Sequence, residues 1–77
     1  MTMSKPYVVG IDIGGTNTVF GIVDARGTII ASGSIKTNKF NEVEDYVNEL
    51  HTELFRLLEQ NNATDKIMGI GVGELFL

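Results

Sequence analysis

The sequence has no cysteine and no tryptophan, and only one proline and one histidine among its 77 residues. Without cysteine, it has neither a disulfide framework nor a thiolate zinc site. Six basic residues stand against ten acidic ones, a formal net charge of −4. Because no cluster of Lys and Arg occurs, binding to nucleic acid is not expected. No apolar run reaches the length of a membrane span or of a signal-peptide core. The sequence therefore predicts a cytoplasmic protein that binds neither nucleic acid nor membrane.

The composition is that of an ordinary globular domain, with 43% hydrophobic and 21% charged residues. A domain of this size buries only roughly 60% of the surface of its unfolded chain. Short apolar segments of period 2 and one longer segment of helical period divide the chain. They predict strands at about residues 7–13, 18–23, 28–36 and 66–72, and a helix at about 41–61.

Turn residues separate the second and third predicted strands. Asp24-Ala25-Arg26-Gly27 is typical of a type I turn followed by a left-handed glycine, which closes a hairpin. We expect Asp24 and Arg26 to serve this turn and to have no catalytic role. The first three strands then form an antiparallel meander. The helix after them is a crossover, which makes the fourth strand parallel to a neighbour.

The helical segment has an apolar stripe, interpreted as core and not as a cofactor site. Asn41 and Glu44 have the spacing of a capping box, and the helix should end near Asn61-Asn62. His51 lies beside the stripe with no second His or Cys to share a metal. Spacings of three and four connect the residues of the stripe, which are Val43, Val47, Leu50, Leu54 and Leu57, widened by Tyr46, Phe55 and Leu58.

The segment Asp12-Ile13-Gly14-Gly15-Thr16-Asn17 joins two apolar strands and carries the clearest functional pattern. Gly14 and Gly15 can adopt positive φ and lack a Cβ, so backbone N–H groups can approach a ligand closely. Successive N–H groups in such a turn form a concavity suited to phosphate oxygens. Asp12, at the end of its strand, is placed to hold Mg²⁺ or its waters, because hard cations take oxygen ligands.

An ordinary hairpin turn is the alternative interpretation of this segment. A Gly-Gly pair with a neighbouring Asp or Asn is common turn chemistry. Asp12, however, lies inside the strand pattern on the same face as Val8 and Gly10. A plain hairpin gains nothing from a charge at that position, which favours the ligand site.

The stretch GIDIGGTNTVFGIVDARGTII resembles the opening phosphate motif of sugar kinases in the actin–hexokinase–Hsp70 superfamily. It is most similar to the ROK family, which contains bacterial glucokinases, related hexose kinases and repressors, and the resemblance runs from about Tyr7 to Val72. It implies that Asp12 lies near the metal and the phosphates. It also implies that the turn contacts the phosphates of ATP through Gly14, Gly15, Thr16 and Asn17. Many relatives have Lys where this chain has Asn17.

The resemblance also implies an architecture. Residues 1–77 would be the truncated N-terminal lobe of a sugar kinase, an α/β half-domain of ribonuclease-H-like (actin-like ATPase) type. Its mixed four-stranded sheet would have the order 3-2-1-4, with one main helix on one face. Gly69, Gly71 and Gly73 alternate in the fourth strand, so one face of that strand has no side chains.

The function implied is the ATP phosphate-binding segment of an ATP-dependent hexose kinase, with ATP and Mg as cofactors and a hexose as substrate of the full-length parent. The catalytic base of such kinases lies further along the chain, so we expect the 77 residues alone to be inactive. The alternative is a non-catalytic ROK-type regulator or a ligand-binding module. One sheet face and the apolar end Leu75-Phe76-Leu77 have no cover, which predicts self-association.

Overall fold

The computed structural model describes residues 5–74, which form a four-stranded sheet with one helix. Strand β1 has the predicted bounds, and the other elements differ from theirs by one or two residues, the usual uncertainty of element ends. In chain order, the elements are β1 (Tyr7–Ile13), β2 (Asn17–Val23), β3 (Ile29–Lys36), α1 (Val43–Gln60) and β4 (Ile67–Glu74).

The sheet order is β3-β2-β1-β4, which confirms the predicted mixed α/β architecture. Strand β2 pairs antiparallel with both β1 and β3, and β4 pairs parallel with β1. Strand β1 is therefore an inner strand, with β2 on one side and β4 on the other.

One face of the sheet packs against α1 and forms the core. Alternate residues of β1 and β2 point to this face, and the intervening residues, such as Asp12, are exposed on the other face. The core stabilises the fold by removing apolar area from water, about 25 cal/mol for each Å². The buried hydrophobic residues are Val9, Ile11, Phe20, Ile22, Ile35, Leu54, Leu58 and Ala63.

The turn between β2 and β3 has the predicted chemistry. The Asp24 carboxylate accepts hydrogen bonds from the backbone N–H groups of Arg26 (2.9 Å) and Thr28 (3.0 Å). Gly27 adopts φ = 84°, and its N–H donates to the Asp24 carbonyl at 3.0 Å. A left-handed glycine after a turn stabilised by Asp24 closes the hairpin, as the sequence indicated.

The capping-box prediction at the start of α1 is wrong. The N-cap is Glu42, in an extended conformation with φ = −120° and ψ = 138°, and no side chain caps the helix. The helix begins two residues later than expected, which removes Asn41 from the N-cap position. Glu44 and Asp45 lie in the first turn as expected, where carboxylates stabilise the positive end of the helix dipole.

The apolar stripe of α1 is only partly core. Leu54 and Leu58 are buried, and Tyr46, Leu50 and Leu57 pack against the core, as predicted. Val43, Val47 and Phe55, in contrast, keep 77%, 51% and 43% of their surface exposed. The helix contacts β3 most extensively. One flank of the helix therefore carries apolar side chains that the sheet does not cover.

The end of α1 reverses the chain into β4. Asn62 has φ = 53°, its N–H donates to the Glu59 carbonyl at 3.2 Å, and the Ala63 N–H donates to the Leu58 carbonyl at 2.9 Å. This is the Schellman arrangement, with buried Ala63 as its apolar contact. The N–H of Tyr7 donates to the Lys66 carbonyl at 3.1 Å, which aligns the start of β4 with the start of β1.

Within residues 5–74 no helix has the length and apolarity needed to cross a membrane. The predicted apolar end, Leu75-Phe76-Leu77, lies outside the described residues.

Candidate phosphate-binding site

The predicted phosphate turn, Gly14–Thr16, connects β1 to β2 at one edge of the sheet. Strands β1 and β4 are parallel, and both end at this edge, where Ile13 is in register with Glu74. Ligands of open α/β sheets bind outside the carboxyl ends of the parallel strands. The fold thus brings Asp12, Gly14, Gly15, Thr16 and Asn17 together at the edge where a ligand is expected.

The structure gives Gly14 a different role from the one expected. Neither Gly14 nor Gly15 has positive φ, so the turn does not use the left-handed conformation that glycine allows. A Cβ on Gly14 would lie 2.9 Å from the Asn17 carbonyl oxygen, to which the Gly14 N–H donates at 2.9 Å. Close approach of the two arms of the turn therefore requires glycine at position 14.

Gly15, in contrast, faces open space. A Cβ at this position would meet nothing within 4 Å. In the described part of the chain, the N–H groups of Gly15 and Thr16 donate to no acceptor, and both residues are exposed. The tip of the turn therefore offers two backbone donors and room for a ligand beside them.

Asp12 lies one position before the last residue of β1, exposed on the sheet face opposite α1. It is paired with Val19 of β2 and with Gly73 of β4. A Cβ on Gly73 would lie 3.7 Å from its carboxylate, an ordinary contact distance. Among the described residues, no group of three or more His, Cys, Asp or Glu could hold a metal. A cation at Asp12 would thus need further oxygen ligands from water or from a bound molecule.

A cluster of hydroxyl groups lies beneath the turn, and sequence reasoning missed it. Thr18 is fully buried on the core face of β2, and its Oγ1 lies 2.7 Å from Thr37 Oγ1 and 2.6 Å from Tyr46 Oη. The Thr37 N–H donates to the Thr16 carbonyl at 2.8 Å. A polar residue in an inward position of β2, followed by the apolar alternates Phe20 and Ile22, was the available signal, because a buried hydroxyl needs a partner.

The loop between β3 and α1 contacts both the sheet and the helix. The Thr37 hydroxyl pairs with Thr18 of β2, and Phe40 makes an edge-to-face contact with Tyr46 of α1, with ring centroids 5.9 Å apart. Lys39 Nζ lies 3.0 Å from the Glu49 carboxylate, an ion pair of partly exposed side chains. These contacts fix the loop beside the phosphate turn.

Two glycines of β4, Gly69 and Gly71, have no packing partner within residues 5–74. A Cβ on Gly69 or Gly71 would meet nothing within 4 Å, and Gly10 of β1 is equally open. None of the three has positive φ. Together they make a flat strip, without side chains, that leads toward Asp12.

His51 is exposed and has no role in this site. Its ring lies on that of Phe55 with centroids 4.4 Å apart, on the helix flank that the sheet does not cover.

Comparison with known proteins finds similarity both to a protein sequence and to solved structures. A glucomannokinase from Segatella bryantii is 79% identical over 19 residues, which are 25% of this chain and 76% of that sequence. The crystal structure of a ROK family glucokinase from Streptomyces griseus, in complex with glucose and AMPPNP, superposes with a TM-score of 0.67 at 25% identity. That superposition covers 88% of this chain but 20% of the glucokinase chain. No family model matches the sequence.

Proposed function

Because the chain belongs to the ROK family of sugar kinases, we propose that it carries the ATP phosphate-binding turn of an ATP-dependent hexose kinase. The chain spans 20% of the length of the glucokinase whose structure it matches, so the activity proposed is that of a longer protein. The glucose and AMPPNP in that glucokinase support a hexose as substrate and ATP as phosphoryl donor.

The exposed tip of the turn is the observation that carries this proposal. The N–H groups of Gly15 and Thr16 lack acceptors in the described chain, and no side chain obstructs Gly15. Backbone donors arranged in this way bind phosphate oxygens with charge-assisted hydrogen bonds. The amide of Asn17 adds a neutral donor at the same edge.

Asp12 is proposed to hold Mg²⁺, directly or through water. A single exposed carboxylate suits Mg²⁺, which keeps several waters and is usually bound through one or two carboxylates together with substrate phosphates. The metal, when bound, would neutralise charge on the phosphates. Asp12 itself would orient that ion at the ends of β1 and β4.

The 77 residues alone are proposed to lack kinase activity. If the parent resembles such kinases, its catalytic base and sugar-binding residues would lie further along the chain, and a general base typically contributes about 10²–10⁴-fold to the rate. A coupled assay with ATP and glucose should show no turnover. Turnover that persists through rigorous purification would contradict this proposal.

Titration of the ¹⁵N-labelled chain with AMPPNP and Mg²⁺ tests the binding proposal. We expect the amide signals of Gly15, Thr16 and Asn17 to shift with increasing ligand. Asp12→Asn keeps the shape of the side chain and removes its charge, so it should weaken the Mg²⁺-dependent part of binding. Asp24→Asn is the matched control, because Asp24 serves the distant β2–β3 turn. Shifts confined to another surface would favour the alternative, a non-catalytic ligand-binding module.

Self-association of this chain is also proposed, through the exposed edge and face of β4. Met68, Ile70 and Val72 keep 67%, 59% and 62% of their surface exposed on the edge strand β4. An open strand edge with apolar side chains favours pairing with another chain.

A further inference from the structure

We propose that Tyr46 and Thr37 are positioning residues for the phosphate turn and that they act through the buried hydroxyl of Thr18. This inference rests on the proposed function of the turn. Thr18 directly follows Asn17, the last residue of the proposed phosphate site, and its hydroxyl contacts both partners at 2.6–2.7 Å. None of the three side chains needs to touch the nucleotide.

The Thr18 hydroxyl lies between the hydroxyls of Thr37 and Tyr46. It has one proton and two lone pairs, so it donates to at most one of these neighbours and accepts from at least one. Thr18 is fully buried, and in the described residues no buried side-chain polar atom lacks a partner. Removing any one hydroxyl therefore breaks a connected network and not a single isolated bond.

A second link connects the network to the turn itself. The Thr37 N–H donates to the Thr16 carbonyl at 2.8 Å, so the backbone of Thr37 is fixed to the tip of the turn. The Thr37 side chain is fixed to Thr18 at the same time. A shift of Thr37 would move the Thr16 peptide and, with it, the direction of the neighbouring N–H donors.

Tyr46 holds the network in place from the helix side. It lies in the first turn of α1, packs against the core and contacts Phe40 edge to face. The helix thus holds the phenol oxygen in place, and the phenol oxygen orients Thr18. The β3–α1 loop, the first turn of α1 and the phosphate turn are joined into one unit.

Packing alone does not require these hydroxyls. Val would fill the space of Thr18, and Phe the space of Tyr46, with no polar group to bury. Burying polar groups costs free energy unless they are hydrogen-bonded. A buried group that is hydrogen-bonded has a defined orientation. The orientation fixed here is that of the residues directly beside the proposed site.

The experiment compares Tyr46→Phe, Thr37→Val and Thr18→Val with two matched controls. Tyr7→Phe removes the other phenol of the chain, and Thr52→Val removes an exposed hydroxyl that bonds only within α1. Native-state hydrogen exchange is measured at the amides of Thr37 and Gly14, both of which donate within this region. Affinity for AMPPNP with Mg²⁺ is measured by the shifts of Gly15 and Thr16.

The network variants should exchange faster at Thr37 and Gly14 by about fivefold or more, the factor produced by losing one hydrogen bond. The exchange rate of amides in the centre of β1 should change only as far as the variant changes the global free energy of unfolding. Nucleotide affinity should fall by a similar factor, and Thr18→Ser, which keeps the hydroxyl, should restore both quantities. The two controls should change neither.

Equal exchange and equal affinity in the network variants and the unaltered chain would overturn the positioning role. Failure of the unaltered chain to bind AMPPNP contradicts the proposed function alone, and exchange at Thr37 and Gly14 then decides the positioning role. A uniform increase of exchange at every amide would show that the network only stabilises the fold, which also overturns the inference.

Discussion

The hydroxyl oxygens of Thr18 and Tyr46 lie 2.6 Å apart and join β2 to the first turn of α1 across 28 residues of sequence. The Thr37 hydroxyl, 2.7 Å from that of Thr18, completes the cluster. The interaction therefore has consequences for stability that are separate from any effect on a ligand.

A double-mutant cycle of Thr18→Val and Tyr46→Phe should show coupling. Thr18→Val leaves the Tyr46 hydroxyl without its partner, and Tyr46→Phe removes one of the two partners of Thr18, so each should lower the free energy of unfolding by about 1–3 kcal/mol. The double variant should lose less stability than the sum of the losses in the two single variants, with a coupling energy of about 1 kcal/mol. Urea denaturation followed by circular dichroism measures all three variants. Strict additivity would show that the two hydroxyls do not interact in solution.

Leu58→Ala should destabilise the fold by about 2–5 kcal/mol, because it removes a side chain that is 4% exposed in the core. Val43→Ala, on the same helix but 77% exposed, should change stability by less than about 0.5 kcal/mol. Urea denaturation measures the loss of unfolding free energy in each variant, and the ratio of the two losses checks the position of α1 on the sheet. Similar losses in both variants would place Val43 in the core instead.

Gly14→Ala and Gly15→Ala should separate folding from binding. A Cβ at position 14 would lie 2.9 Å from the Asn17 carbonyl, so the turn must shift, at a cost of about 1–3 kcal/mol. A Cβ at position 15 meets nothing in the described chain, so stability should be nearly unchanged while phosphate approach is obstructed. Thermal unfolding and AMPPNP titration are measured on both variants. Unimpaired nucleotide binding by Gly15→Ala would contradict the proposed site.

Ile70→Lys should reduce self-association, because it places a charge on the exposed face of β4, where Ile70 is 59% exposed. Val43→Lys is the control, since Val43 is more exposed but lies on α1. Sedimentation velocity at several concentrations measures both. A monomeric unaltered chain at high concentration would refute the proposed association.

The sheet and its turns could be predicted because local patterns determine them. The alternation of Val9 and Ile11 with Gly10 and Asp12 sets the faces of β1, and Gly27 after Asp24 sets the hairpin. The strand order came from the family resemblance, and the structure confirms it. The five residues predicted for the site lie together, and their contact with phosphate stays a prediction, as does the cytoplasmic location.

Features that depend on distant contacts could not be predicted. Val47 and Phe55 belong to the apolar stripe, but where α1 lies across the sheet decides which flank is buried. The role of Gly14 depends on how closely the Asn17 carbonyl approaches it in three dimensions. The Thr18–Tyr46 contact likewise spans residues that no local period connects.

The parallel pairing of β1 with β4 has a consequence for how the molecule assembles. Strands β1, β2 and β3 are joined by short turns, whereas β2, β3 and α1 all lie between β1 and its partner β4 in the sequence. Contacts between segments close in sequence form faster than those between distant segments, because less loop entropy is lost. During synthesis on the ribosome, the meander that contains the phosphate turn emerges first. One edge of the strand that bears Asp12 stays open until β4 has been made.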